Sequence, residues 1–339
     1  MLRPLAHRLF ASGSFALFTV LGSAGYALIC VVLFRDRRMF HQQHNFYVLV
    51  WNLAIGDLLI LLSQYLVAIP LSLAGASDGA RLLPFQCIPF LRIPMPLYGD
   101  GWLLTALANL DSVGFRLCLF SSFGIALNRF LCFVHPRLHV RLFRGRRVYL
   151  CVATVWTVAL LFAGIKELAG YHQTFYHASF HFGSLPNVSE AQRAFNERTG
   201  VQYLYNFAKV VMHPLPYVSL SLYVSAYLFL RSWKKHQSNQ SSMQLERSFL
   251  VQGLVINLVT HLGMMGFIFS RHLIGFTCTY LSSCLIGSLV LGNLMVVNSA
   301  INPFIYLIFN SIIRKRAKLL LFGSQENAGN QFVTPTPHQ

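Results

Sequence analysis

Charged side chains are scarce in this sequence. Only 11% of its 339 residues are Asp, Glu, Lys or Arg, whereas 55% are apolar and the mean hydropathy is +0.53. Soluble domains carry about 25% charged residues. The composition therefore excludes a soluble globular protein and indicates a membrane protein.

The sequence also lacks the short motifs of common enzyme classes. It contains no HExxH, GxGxxG, phosphate-binding-loop or CxxC motif. One GxSxG string occurs at residues 75–79, but that motif needs a turn between a strand and a helix of a hydrolase sheet. This string instead lies where an apolar stretch runs out into a loop, and its residue types are ordinary turn formers. We therefore do not expect an enzyme.

Seven apolar stretches are long enough to cross a bilayer, because a hydrocarbon core of about 30 Å takes roughly 20 apolar residues per helix. We call them spans one to seven, and they cover residues 12–34, 46–74, 103–133, 148–165, 204–230, 248–270 and 281–309. The sequence thus predicts an all-α bundle of seven transmembrane helices over residues 12–309. An odd number of crossings places the two termini on opposite sides of the membrane.

Lys and Arg are unevenly shared between the two sides. Sixteen of them lie in the loops after spans one, three and five and in the tail, more than in the N-terminus and the other three loops. By the positive-inside rule, the C-terminus is cytoplasmic and the short N-terminus, residues 1–11, is extracellular. The net charge of +17 is then mostly a topology signal. We expect no nucleic-acid partner, because these short loops cannot gather the charge on one soluble face.

Polar residues are confined to a few places within the spans. Asp57 ends the string NLAIGD in span two, Asn128 and Arg129 close span three, and span seven contains Asn302 and Pro303 in the string NPFIY. Buried amides and a helix broken at Pro303 cost several kcal/mol in hydrocarbon unless the protein uses them. This distribution predicts a helical bundle that switches between two arrangements.

The order of these motifs resembles the rhodopsin-like, or class A, G-protein-coupled receptors. NLAIGD in span two, NRF at the end of span three, Trp156 in span four and NPFIY in span seven together cover nearly the whole chain. The stretches at residues 128–143 and 302–315 are similar to the nematode serpentine chemoreceptors, especially the x class. The resemblance implies a chemosensory receptor of the plasma membrane that binds an extracellular small molecule and activates a heterotrimeric G protein.

The resemblance also assigns a switch to the cytoplasmic end of the bundle. It implies that Arg129 packs there in the resting state and meets the G protein when span six moves outward. Asn128 stands where an acidic residue is usual, so we expect Arg129 to pair with Glu246 at the start of span six. The tyrosines expected to carry the hydrogen bonds of the active form are Tyr306 and either Tyr223 or Tyr227.

In the family that the chain resembles, the acid at Asp57 holds a sodium ion. The other local ligands would be Asn298, Ser299 and Asn302, but the hydroxyl expected in span three is replaced by Cys118. Thiols are poor ligands for a hard cation. Two alternatives stay open: a bound sodium ion, or an Asp57 that is neutral or hydrogen-bonded and simply ties spans two and seven together. We expect no other cofactor.

Two charged residues in span three bear on the ligand. Asp111 lies 18 residues before Arg129, hence about 27 Å along the helix, where the amine receptors of the resembled family carry their counter-ion. Arg116 lies five residues deeper and needs a partner or an anionic ligand. The alternatives are an internal network of Asp111 and Arg116, amine recognition by Asp111, and carboxylate recognition by Arg116.

The chain departs from the family pattern in several places. Span one has Gly25 and Tyr26 where a Gly-Asn pair is usual, and the second outer loop has no cysteine to bridge to span three. Span six lacks the Cys-Trp-x-Pro hinge, so any kink there must come from Gly263 and Gly266. The ligand-reading half of the molecule is thus less well matched than the signalling half.

The remaining predictions concern the periphery. Asn187 lies in a sequon in the second outer loop and is a glycosylation site, whereas the sequon at Asn239 falls in an inner loop and should stay unmodified. A disulfide from Cys87 to a cysteine near span seven is an open alternative. Residues 310–323 predict a short amphipathic helix on the inner membrane surface, and residues 324–339 a disordered tail.

The sequence leaves two alternative functions open. A seven-span ligand-gated channel or transporter is the alternative from another class, and an amine or peptide neuromodulator receptor is the alternative within the family. A transporter would be expected to show repeated halves or helices broken at matching positions, and the sequence has neither. The expected partners are therefore an extracellular small molecule, a heterotrimeric G protein and the lipid bilayer.

Overall fold

The structure, a computed structural model, describes residues 5–35, 37–74, 101–176, 180–186, 190–233, 248, 250–266 and 281–322. Helices form nearly all of these residues, in agreement with the all-α prediction. Several predicted features lie outside the described residues: Glu246, the sequons at Asn187 and Asn239, Cys87 and the tail at 324–339.

Each predicted span corresponds to helical structure. Span one is Leu5–Arg35, span two is Arg37–Ser63 continued by Gln64–Ala68 and Ile69–Ala74, span three is Gly101–Val134, span four is Arg147–Leu168, span five is Val201–Met212 and Leu215–Trp233, span six is Leu250–Gly266 and span seven is Leu281–Phe309. Spans one to four and seven contain single helical stretches long and apolar enough to cross a membrane, and the described helix of span six is shorter.

Prolines explain two irregularities. Span five is divided at His213 and Pro214, because proline has no backbone N–H to continue the helical pattern. In span two, the five-residue π-helical turn Gln64–Ala68 comes just before Pro70, where the same loss of a donor disturbs the regular pattern.

The predicted break at Pro303 is wrong. The helix of span seven runs without interruption from Leu281 to Phe309, with Pro303 inside it. A transmembrane helix tolerates proline when its neighbours accommodate the ring and re-satisfy the backbone. Span one makes the room, since a Cβ atom at Gly25 would lie only 2.9 Å from Cγ of Pro303.

Span three lies at the centre of the bundle and contacts spans two, four and five. Its closest approach is to span two, where two glycines face each other. A Cβ atom at Gly114 would lie 2.7 Å from the backbone oxygen of Gly56, and one at Gly56 would lie 2.8 Å from Sγ of Cys118. Small residues let transmembrane backbones approach in this way, which brings Asp57 and Cys118 into contact.

A β-hairpin, which the sequence did not predict, covers one end of the bundle. Strand β1, Tyr171–Tyr176, pairs antiparallel with β2, His181–Pro186. Phe175 and Phe180 are buried, and the ring of Phe175 meets that of Phe15 in span one at 6.4 Å between centroids. We call this the hairpin end of the bundle.

The opposite end, which we call the Arg129 end, carries two short helices. Pro136–Phe143 links spans three and four, and Ser311–Phe322 follows span seven. Ile313 and Ala317 of the latter are buried against the bundle, whereas Arg314, Lys315, Arg316 and Lys318 are exposed. This helix lies within residues 310–323, and the predicted amphipathic helix on the membrane surface stays a prediction.

Candidate functional site

Arg129 and Asn128 make separate contacts at the Arg129 end. The guanidinium carbon of Arg129 lies 3.9 Å from the ring centroid of Phe46 in span two, a cation–π contact. Nδ2 of Asn128 lies 3.2 Å from Nε2 of His139 in the linking helix. Burial and the charge of Arg129 lower the pKa of His139 below its usual value of 6.5. The ring is therefore neutral and can accept the amide hydrogen bond.

Two of the three predicted tyrosines line the same small cavity near this end. Its lining residues are Phe46, Leu53, Ser122, Ile125, Tyr223, Gln252, Gly253, Ile256, Asn257 and Tyr306. Tyr223 and Tyr306 are both buried, whereas Tyr227 is only partly buried and is not among the lining residues. A Cβ atom at Gly253 would overlap the Tyr223 ring. The structure thus groups Tyr223, rather than Tyr227, with Tyr306 and span six.

Asp57 joins four spans in the middle of the bundle. It is fully buried and accepts a hydrogen bond of 2.8 Å from Nδ2 of Asn302 in span seven. The hydroxyl of Tyr26 in span one donates to the same carboxylate oxygen. Sγ of Cys118 in span three lies 3.3 Å from the other oxygen. The tie between spans two and seven is therefore present, with spans one and three added to it.

The same residues can be tested for their fit to a sodium ion. Asn298, Ser299 and Asn302 are buried. Among the residues that the structure describes, the side-chain oxygens of Asn298 and Asn302 have no hydrogen-bond partner, and the Ser299 hydroxyl lies beside the Asp57 carboxylate. Sodium is a hard cation and takes oxygen ligands, so these three residues with Asp57 fit it. Cys118 does not fit, because its thiol occupies one Asp57 oxygen. The residues thus offer several oxygen ligands, with a thiol where a further oxygen is expected, and sodium binding stays a prediction.

A second hydrogen-bond chain ties spans two, three and four. Nε1 of Trp156 donates to Oδ1 of Asn52 over 2.8 Å, and Nδ2 of Asn52 donates to Oγ of Ser121 over 2.6 Å. The Asn of NLAIGD and the tryptophan of span four are thus partners. This contact gives a structural reason for the Asn of the span-two motif and for the tryptophan of span four.

A buried group of polar residues lies below the hairpin, and we call it the charged layer. Its members are Asp111, Ser112 and Arg116 of span three, Lys166 of span four and Gln173 of strand β1. Arg116 donates from Nη1 to the backbone oxygen of Ser112 over 2.8 Å and also to its hydroxyl. Nζ of Lys166 lies 3.2 Å from the same hydroxyl and 2.6 Å from Oε1 of Gln173. Nε2 of Gln173 is 3.4 Å from Oδ2 of Asp111.

Asp111 and Arg116 are therefore connected only indirectly, through Ser112, Lys166 and Gln173. In the described part of the chain, no ion pair joins Asp111 to either cation, and Lys166 instead faces Glu167 at 3.8 Å. The amide of Gln173 links the hairpin to Asp111 of span three.

A comparison with protein families is decisive at this point. The family model described as "7 transmembrane receptor (rhodopsin family)" matches residues 25–306. The chain belongs to this receptor family. A search of curated proteins gives no match to the receptor, so the finer resemblance to nematode chemoreceptors stays a prediction.

The receptor contains site residues that its sequence did not single out. Lys166 was assigned to a loop because span four was expected to end at residue 165, but the helix continues to Leu168 and turns Lys166 into the bundle. Tyr26 was noted only as a departure from the family pattern. A polar residue in the last turn of an apolar helix, as at Lys166, is the signal that would have found the charged layer.

Proposed function

We propose that this receptor is chemosensory, binds an extracellular small molecule at the hairpin end and activates a heterotrimeric G protein at the Arg129 end. The observation that carries the proposal is a cavity between spans two, three, five, six and seven. Tyr223, Tyr306 and Phe46 line it, and Arg129 rests on the Phe46 ring. The family match supports a receptor with ligand and G-protein partners in general terms.

The proposed topology places the Arg129 end in the cytosol and the N-terminus outside the plasma membrane. The exposed cations of the linking helix and of Ser311–Phe322 lie at this end, which agrees with the positive-inside rule. The latter helix would rest on the anionic inner leaflet with Arg314 and Lys318 toward the lipid headgroups.

Activation would be a shift in population between two packings of the bundle. In the described arrangement, Arg129 lies against Phe46, and Tyr223 fills the space beside Gly253. Outward movement of span six would separate Gly253 from Tyr223 and open the cavity to the G protein. Tyr223 and Tyr306 would then be free to form new hydrogen bonds with each other and with Arg129. No covalent chemistry is involved.

Guanine-nucleotide exchange in membranes tests this function directly. Cells expressing the receptor are challenged with pools of volatile and water-soluble compounds, and active pools are repeated with Arg129→Gln and with the control variant Arg146→Gln in the exposed loop after the linking helix. We expect Arg129→Gln to lose exchange while Arg146→Gln keeps it. Full exchange by Arg129→Gln would contradict the proposal, and ionic current without exchange would favour the ligand-gated channel.

A second experiment concerns the proposed pairing of Arg129 with Glu246. If the pair holds span six in the resting state, Glu246→Gln raises basal exchange without ligand. The matched control is Gln244→Glu, which changes a neighbouring charge in the same segment. Unchanged basal exchange in Glu246→Gln would show that the pair has no role in the switch.

A further inference from the structure

The charged layer has more positive than negative charge in its buried part. Arg116 and Lys166 are both almost fully buried, with exposed fractions of 6% and 3%. Asp111 is the carboxylate buried with them, and Gln173 caps it. Glu167 is 28% exposed and lies closer to His172, at 2.7 Å, than to Lys166, at 3.8 Å. The rim carboxylate therefore compensates Lys166 only in part.

The short hydrogen bonds of both cations go to neutral partners. Arg116 and Lys166 donate to the hydroxyl of Ser112, and Lys166 also donates to the amide oxygen of Gln173. Within the residues that the structure describes, the buried Nε of Arg116 has no hydrogen-bond partner. One buried carboxylate, Asp111, accompanies two buried cations, and Glu167 at the rim is partly exposed. Buried cations that are only partly compensated are costly, so a further negative charge would stabilise the layer.

We propose that the charged layer is the ligand site and that it binds the carboxylate of a small organic acid. The carboxylate would accept from Arg116, including its unused Nε–H, and from Lys166. Guanidinium groups suit this two-oxygen acceptor. An ammonium ligand at Asp111 would instead add a third positive charge to the layer. The structure therefore favours carboxylate recognition over amine recognition.

The site also offers a route from ligand to hairpin. A carboxylate at Lys166 would compete with Oε1 of Gln173, which lies 2.6 Å from Nζ of Lys166. This hydrogen bond ties strand β1 to span four. Displacing this amide would loosen the contact between the hairpin and spans three and four. The inference deepens the proposed receptor function by naming its ligand class.

Thermal unfolding of the purified full-length receptor in detergent tests binding without any G protein. The probes are straight-chain carboxylic acids of increasing length, their methyl esters, and the alkyl amines, phosphates and sulfonates of matching length. We expect a concentration-dependent rise in unfolding temperature with carboxylic acids, and none with esters or amines. Stabilisation by amines with loss in Asp111→Asn, or no stabilisation by any acid, would overturn the proposal. A stronger effect of phosphates or sulfonates than of carboxylates would overturn the assignment of the carboxylate.

Charge variants locate the site. Arg116→Gln and Lys166→Gln should each weaken acid binding about tenfold or more, since each removes a charged hydrogen-bond partner. Lys166→Arg keeps the charge and should retain binding, and Arg198→Gln, on the exposed helix Glu190–Thr199, is the control. Equal acid binding by Arg116→Gln, Lys166→Gln and the unchanged receptor would overturn the proposal. If a Gln variant does not fold, the proposal is tested with the charge-keeping variants Arg116→Lys and Lys166→Arg and by comparing acids with their methyl esters. Equal stabilisation by acids and esters would then overturn it.

The failure of this inference and that of the proposed function are distinguishable. Acid binding without nucleotide exchange would leave the site standing and reject G-protein coupling. Ligand-dependent exchange in response to compounds without an acidic group would support coupling and reject the carboxylate site.

Discussion

The residue before Arg129 is an amide, Asn128, and not a carboxylate. Arg129 rests on the Phe46 ring, and Asn128 turns to His139 in the linking helix. A cation–π contact of this kind contributes about 0.5–2 kcal/mol, less than a buried charged hydrogen bond can.

The first prediction concerns this position. Asn128→Asp would place a carboxylate next to Arg129, and a charged hydrogen bond of about 1.5–3 kcal/mol would stabilise the resting arrangement. We expect basal nucleotide exchange to fall about tenfold, measured in membranes without ligand. Asn128→Ala is the control, because it removes the His139 contact without adding charge. An increase in basal exchange in Asn128→Asp would contradict this account of the switch.

The second prediction concerns sodium. Because Cys118 provides sulfur where an oxygen is needed, we expect the same unfolding temperature for the receptor in sodium chloride and in choline chloride. Cys118→Ser supplies the missing oxygen and should raise the unfolding temperature in sodium by about 2 °C or more. Adding Asp57→Asn should abolish the gain. A sodium effect already present in the unchanged receptor, and unaltered in Cys118→Ser, would show that the thiol is not the obstacle.

At the scale of elements, the contact between spans two and three depends on two glycines. The third prediction is that Gly114→Ala lowers the unfolding temperature, because its methyl group would meet the Gly56 oxygen at 2.7 Å and overpacking costs about 1–3 kcal/mol. Gly124→Ala in the same helix is the control, with no neighbour within 4 Å of its added Cβ atom, and alanine favours the helix there. Equal stability of the two variants would contradict the close approach.

The helices could be predicted from the sequence, because hydropathy alone marks a segment that must satisfy its backbone within itself. The hairpin could not, since its strands are defined by docking on the bundle. The same limit applies to the charged layer: Lys166 joins it only because span four continues past residue 165. Asp57 and Asn302, in contrast, could be paired in advance because their strings occur together in a known family. The uninterrupted helix at Pro303 depends on Gly25, which belongs to another span.

At the scale of the whole molecule, the proposed function depends on the orientation of the bundle in the membrane. The fourth prediction uses the two sequons as matched reporters. If the hairpin end is extracellular, Asn187→Gln should increase gel mobility and remove sensitivity to glycosidase, whereas Asn239→Gln should change nothing. Modification at Asn239 would require the opposite orientation and would remove the Arg129 end from the cytosol, ending the proposal of G-protein activation.

The hairpin has a consequence for kinetics. Strand β1 contacts spans three and four, β2 contacts span seven, and the carbonyl group of Phe180 lies so close to Gly292 that a side chain there would overlap it. In the described part of the chain, the two strands thus cover the charged layer, and we expect an acid bound as proposed to Lys166 and Arg116 to leave when these strands lift. Its residence time would be set by that opening, so acids that differ widely in affinity should dissociate at similar rates and differ mainly in how fast they bind.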